Sequence, residues 1–270
     1  MTVKSTFSPI LSDPKFLAEP EVLGVLEDII TATAVEKVWQ ILTVEMAKIG
    51  FERLIYGFTR YRTETSFGDP QDILLLSNAG EDYINGFIGD GFYRDAPMVR
   101  WAAENVGACS WSWAAKQAMA GGLSDAEMKV LAFNKGHRAT CGYTISFPDT
   151  LRRDKGAIAL IGGPDSTQEQ VDNIWACSGR ALSIITNVAH MKVTRLPFEG
   201  MRRSLTDRQR EVLGWVGDGK TSQDIATIMG LTTATVEKHL RLARETLDVG
   251  TTAQAVLKAA FQNQIFTPSE

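Results

Sequence analysis

Residues 205–247 read LTDRQREVLGWVGDGKTSQDIATIMGLTTATVEKHLRLARETL. Thr206, followed three residues later by Gln209, is the signature of a capping box that opens a helix. That helix carries Val212, Leu213, Trp215 and Val216, and Gly219 closes it. A second, short helix starts at Thr221 or Ser222, turns Ile225, Ala226 and Met229 inward, and ends at Gly230, a residue suited to a positive-φ turn. Only Gly230 and Leu231 then precede Thr232, which caps a third helix at about 233–247. Val236, Leu240, Ala243 and Leu247 fall at i, i+4, i+7 and i+11 on the face that packs inward. Thr233, Glu237, Arg241 and Arg244 form the opposite stripe, with Lys238 beside it. A fourth helix, 252–261, shows Ala253, Val256, Leu257 and Ala260 on one face.

The stripe carries the chemistry of a groove reader. Arginine and lysine donate to guanine O6 and N7, and Glu237 can accept from cytosine N4. Thr233, Thr235 and Arg244, with Lys220 and Thr221 at the neighbouring helix start, are placed to hold phosphates. A solvated face on a small helical bundle would use the same residue types. Tight turns, a cap at each start and a polar stripe on the third helix alone favour double-stranded DNA. Bulk charge does not help: the chain is −4 overall, and residues 203–265 hold 8 basic against 7 acidic residues. Positive charge must therefore be placed locally, on one helix face.

Upstream, 195–203 carries Pro197 and Gly200 without periodicity and reads as a linker. Before it the pattern changes. Helical spacing covers 20–51, and short branched and aromatic runs at Leu54–Tyr61 and Ile73–Leu76 flank Gly68, Asp69 and Pro70 as a strand pair. Short helices are expected between Glu81 and Asn105, a return near Ala108–Trp113, and a helix over Ser124–Lys135. Gly142–Phe147 and Gly156–Ile161 read as further strands, and a long amphipathic helix follows from about Ser166 to Lys192. The fold class is α+β: an α–β–α sandwich over 1–194, a linker over 195–203 and an all-α four-helix module over 204–270. Helices covering the sheet leave room for a pocket.

Composition narrows the class further. At 44% hydrophobic and 22% charged residues, the chain is ordinary globular protein and not a disordered one. Met1–Ile10 has no apolar stretch behind Lys4, and no run is long enough to span a bilayer, so a cytoplasmic location with no membrane contact is expected. Cys109, Cys141 and Cys177 lack metal-ligand spacing and suggest no disulfide framework.

The pattern Leu205-Thr206-x-Arg208-x-x-Glu211-Val212-Leu213, with Gly219-Lys220-Thr221, Ile225-Ala226 and Thr235-Val236-x-x-His239-Leu240, resembles the LuxR/NarL-type helix-turn-helix. The similarity continues through Leu247-x-Val249 and Ala255-Val256; Gln209 stands where that family usually has Glu. The resemblance implies a recognition role for the third helix and dimerisation through the fourth. More weakly, the N-terminal part resembles the autoinducer-binding domain of quorum-sensing LuxR proteins, and it lacks the βα alternation of a receiver domain. Those proteins place a Trp and, four residues on, a Tyr over the acyl-homoserine lactone; Tyr83 and Phe87 stand there. The Asp that takes the ligand's amide hydrogen corresponds to Ala96 of Ala96-Pro97, with Asp95 one residue early. Trp111, Gly142 and Thr144 match a pocket Trp, a Gly and a pocket hydroxyl.

The missing carboxylate matters, because a buried amide without its acceptor costs about 1–3 kcal/mol. A one-residue loop shift would return Asp95 to the site. Otherwise the pocket suits a different small molecule, or the regulator works without a ligand, controlled by expression level or a protein partner. Tyr83, Phe87, Trp101, Trp111 and Trp113, taken singly, are also ordinary core aromatics. The resemblance implies a homodimer on DNA, with a small-molecule ligand and RNA polymerase as further partners and with no cofactor or metal. An enzyme is not expected. His137 and Cys141 lie four apart, but Gly136 ends the helix before them.

Overall fold

A computed structural model describes residues 19–63, 70–148, 151–198 and 205–265. The Gly68-Asp69 part of the expected turn, residues 199–203 of the linker and Met1–Ile10 lie outside the described residues.

Helices α1 (Glu19–Thr31) and α2 (Val35–Lys48) lead into strand β1 (Phe51–Thr59) and, beyond a short helical turn at Pro70–Asp72, strand β2 (Leu74–Ser77). Short helices α3 (Glu81–Ile84) and α4 (Pro97–Glu104) precede β3 (Gly107–Ser110). Then follow α5 (Ser112–Met119), α6 (Asp125–Gly136), β4 (Gly142–Ser146), β5 (Lys155–Gly162) and the long α7 (Gln168–Val193). The strands form one antiparallel sheet in the order β2-β1-β5-β4-β3. The expected α–β–α sandwich is what forms.

Strand alternation divides the two layers. Leu54 and Tyr56 of β1, and Ile158 and Leu160 of β5, join the larger core with α1, α2 and α7. Ile55, Ala159 and Ile161 face the other way, toward the block of short helices. On α1, Ile29 is fully buried, whereas the neighbouring Ile30 stays 60% exposed. The side chains of Thr167 and Gln170 close a capping box at the start of α7, one residue beyond the expected Ser166.

His190 of α7 is buried in the larger core. Its ring stacks on Phe147 at 4.2 Å and its Nδ1 lies 2.9 Å from the Tyr56 hydroxyl. Burial lowers its pKa from 6.5 to about 4. The unfolded chain therefore takes up a proton as pH falls below about 6.5 while the native chain does not, until about pH 4. Stability is expected to fall by on the order of 3 kcal/mol across that window. Denaturant titrations at several pH values check this, and His190→Phe should flatten the dependence.

The C-terminal module consists of α8 (Asp207–Gly217), α9 (Ser222–Met229), α10 (Thr233–Leu247) and α11 (Thr252–Phe261). Capping boxes at Thr206/Gln209, Thr221/Asp224 and Thr251/Gln254 satisfy first-turn amides of α8, α9 and α11. Gly230 takes φ +64° in the turn between α9 and α10, where a side chain would be strained. Val236, Leu240, Ala243 and Leu247 are buried with Leu213 and Ile225, and each large side chain among them contributes about 1.5–3 kcal/mol. On α11 the packed face is Ala255 and Ala259; Ala253 and Leu257, expected on the apolar face, remain exposed.

Candidate functional site

Two sites stand apart in this fold. The first is the outer face of α10. Thr233, Glu237, Lys238 and Arg241 are exposed along it, and Lys220 is exposed just before α9. Not every side chain of the expected stripe is free. Glu237 accepts a 2.5 Å hydrogen bond from Ser222 of α9, which fixes its carboxylate between the two helices. Arg241 pairs with Glu245 one turn on, at 2.5 Å. Arg244 is half-buried and donates to the Thr252 hydroxyl at 2.8 Å, so it ties α10 to α11. Thr221 and Thr235 both serve helix starts: Thr221 exchanges hydrogen bonds with Asp224, and the Thr235 amide donates to Thr232. Lys220 and Lys238 carry the exposed ammonium groups of this face.

The second site is a cavity of about 380 Å³ between the sheet and the short helices. Its sheet wall includes three small residues, Gly57, Ala157 and Ala159, on strands β1 and β5, beside larger ones such as Ile55 and Ile161. The small side chains leave space that larger ones there would fill. The helix that begins as α3 widens into π-type turns over Asn85–Gly89, and these carry Phe87 into the wall. Tyr83 stacks on Phe87, with ring centroids 5.4 Å apart, and its hydroxyl donates to Asn134 Oδ1 at 2.9 Å. Burial raises the Tyr83 pKa well above that of a free phenol, so this hydroxyl stays protonated.

Trp111 Nε1 donates to Thr144 Oγ1 at 2.9 Å, joining two of the expected pocket residues. Gly142 is required beside them. A Cβ there would lie 2.4 Å from the Leu160 carbonyl and 3.2 Å from the Trp111 ring. Ala96 is buried in the cavity wall, whereas Asp95 is exposed and is not a lining residue. The expectation that a loop shift restores a carboxylate through Asp95 is therefore corrected. The short helical turn Phe92–Asp95 points Tyr93 inward and Asp95 outward.

Asn134, Tyr93, Thr59 and Lys155 also line the cavity and were not singled out from sequence. Asn134 lies on the inner face of α6, and the apolar period alone does not mark it. His137 and Cys141 each bond a backbone carbonyl, of Phe133 and Ser166, with no bond between them. Among the described residues no His, Cys, Asp and Glu group is placed to hold a metal ion, and no helix is long and apolar enough to cross a membrane.

Residues 34–193 match the family model described as autoinducer binding domain, and residues 203–259 match bacterial regulatory proteins, luxR family. The chain belongs to the LuxR family of transcriptional regulators. It is 24% identical over 242 residues to the transcriptional activator protein AnoR of Acinetobacter nosocomialis, covering 86% of this chain and 95% of AnoR. It is 28% identical over 218 residues to the quorum sensing-dependent transcriptional regulator RpaR of Rhodopseudomonas palustris, covering 77% of this chain and 84% of RpaR. The solved structure of Escherichia coli SdiA is similar over 91% of this chain and 98% of its own, at 16% identity and a TM-score of 0.48. As in other LuxR-family regulators, the helix-turn-helix module is the DNA-binding part and the cavity lies in the autoinducer-binding part.

Proposed function

We propose that this regulator binds DNA as a homodimer through Lys220, Thr233, Glu237, Lys238 and Arg241, and that its cavity takes a largely apolar small molecule other than a standard acyl-homoserine lactone. Ala96 in the cavity wall carries the second part. A methyl group there cannot accept the amide hydrogen of a lactone ligand. The two paired polar groups, Tyr83–Asn134 and Trp111–Thr144, already satisfy each other. A molecule that demands little hydrogen bonding loses least on entering such a site.

The dimer follows from how much sequence one module can read, since a single recognition helix covers only one half-site. The sensor domain spans residues 1–194, the linker 195–203 and the DNA-binding domain 204–270 in this reading. Thr221, Thr235 and Arg244 support the reading face from behind by holding helix starts and α11. The dimer acts in the cytoplasm, with RNA polymerase as its target once on DNA. Selection of duplexes from a random pool by the full chain tests the DNA part. A two-fold symmetric sequence with half-sites about one helical turn apart is expected; no enrichment would overturn it.

Lys220→Ala is expected to weaken specific and non-specific DNA alike. The slope of log affinity against log salt should become shallower by about one per module, because one phosphate contact is lost. Fluorescence anisotropy at four salt concentrations measures both effects.

A further inference from the structure

The DNA-binding module is seated on the sensor half through one compact seam. Lys258 of α11 is buried, and its ammonium lies 2.7 Å from each carboxylate oxygen of Asp72, which is buried too. Phe261 packs edge-on against Tyr61 with centroids 6.0 Å apart and lies under the Arg60 guanidinium at 5.7 Å. Beyond α11, Asn263 Nδ2 donates to the carbonyls of Thr194 and Leu196, and the Phe198 amide donates to the Gln262 carbonyl.

Three buried polar atoms at this seam, Arg60 Nε, Tyr61 Oη and Gln264 Oε1, have no hydrogen-bond partner among the described residues. Away from the seam, only Arg53 Nε and Ser178 Oγ stand in this way among the described residues, so the unmade bonds concentrate here. Buried polar groups are normally satisfied, so a seam that leaves several unmade gains by admitting water. The seat is also joined to the cavity along the chain. Phe58 and Thr59 line it and run directly into Arg60 and Tyr61, and Ile73, another lining residue, follows Asp72.

We propose that this seam is a releasable seat for the DNA-binding module, locked by the Lys258–Asp72 pair and biased by what fills the cavity. The outer face of α10 takes no part in it, so docking leaves the reading stripe open and fixes where that stripe points. Release would change the placement of two modules in a dimer without altering either reading face. The coupling to the cavity rests on the ligand reading above; the existence of the seat does not.

Hydrogen exchange on the full chain tests the seat. Asp72→Asn leaves a buried ammonium without its counter-charge, and removing one partner of such a pair is far costlier than removing both. Exchange at the Phe198 amide and at Gln262–Gln264 is expected to rise about tenfold or more, while amides of β5 stay protected. Asp72→Asn combined with Lys258→Met should restore most of the protection. Unchanged exchange at the seam in Asp72→Asn, or equal loss in the double variant, would overturn the lock. Loss in β5 as well would mean general unfolding and would also overturn it. Ile73→Ala, at a residue that lines the cavity, should raise seam exchange severalfold. If it leaves the seam unchanged while Asp72→Asn does not, the seat stands and its coupling to the cavity fails.

Discussion

Arg241→Ala is expected to lower affinity for a specific two-half-site operator by roughly thirtyfold to twenty-five-thousandfold. A bidentate arginine contact to a base is worth about 1–3 kcal/mol, and a dimer loses it twice. In the free chain Arg241 is 55% exposed and paired with Glu245. An exposed pair of this kind holds its partner by only about 0–1 kcal/mol, so the guanidinium can leave it for a base at little cost. Non-specific DNA should be affected much less, and sequence preference should relax at one position of each half-site. Competition titrations with single-base operator variants measure both. Retained preference at every position would remove Arg241 from the reading face.

Ala159→Phe is expected to abolish the response to whatever compound co-purifies with the wild-type chain. Ala159 lies on β5 in the sheet wall of the cavity, and its small side chain leaves space there. A phenyl ring there occupies the space while the rest of the strand keeps its pairing with β1 and β4. A ligand present at a hundred times its Kd adds about 2.7 kcal/mol to the wild-type chain. In the variant that increment should vanish, at an overpacking cost of about 1–3 kcal/mol. Thermal denaturation with and without the recovered compound reads the difference. A ligand-induced rise of wild-type size would place the ligand elsewhere.

The DNA-binding module was almost wholly legible, because its information is local. Caps at Thr206, Thr221 and Thr232, the Gly230 turn and the i, i+4, i+7 spacing of α10 each act within a few residues. What escaped there involves contacts between helices, such as Ser222 holding Glu237 and Arg244 reaching Thr252. In the sensor half the strands and the long α7 were readable from period, and the family resemblance named Tyr83, Phe87, Trp111 and Thr144 as pocket positions; that Tyr83 stacks on Phe87 and Trp111 donates to Thr144 came from the structure.

The direction of Asp95 was not readable. One residue of phase in a tight helical turn decides whether a side chain faces a cavity or water, and no periodicity runs through that segment. Asn134, Thr59 and Lys155 are brought to the cavity by tertiary packing between elements distant in sequence. Asp72 and Lys258, 186 residues apart, are the extreme case.

The most direct test is mass spectrometry of an organic extract from the purified full-length protein, paired with thermal denaturation against a panel of acyl-homoserine lactones. An apolar compound that is not a lactone, recovered near one per chain and raising the melting temperature, is the predicted result. Lactones should bind about ten- to a hundredfold more weakly than they would with an acceptor at position 96. A standard acyl-homoserine lactone recovered in that ratio and stabilising the chain above all others would contradict the account, because another group would then be doing the work that Ala96 cannot.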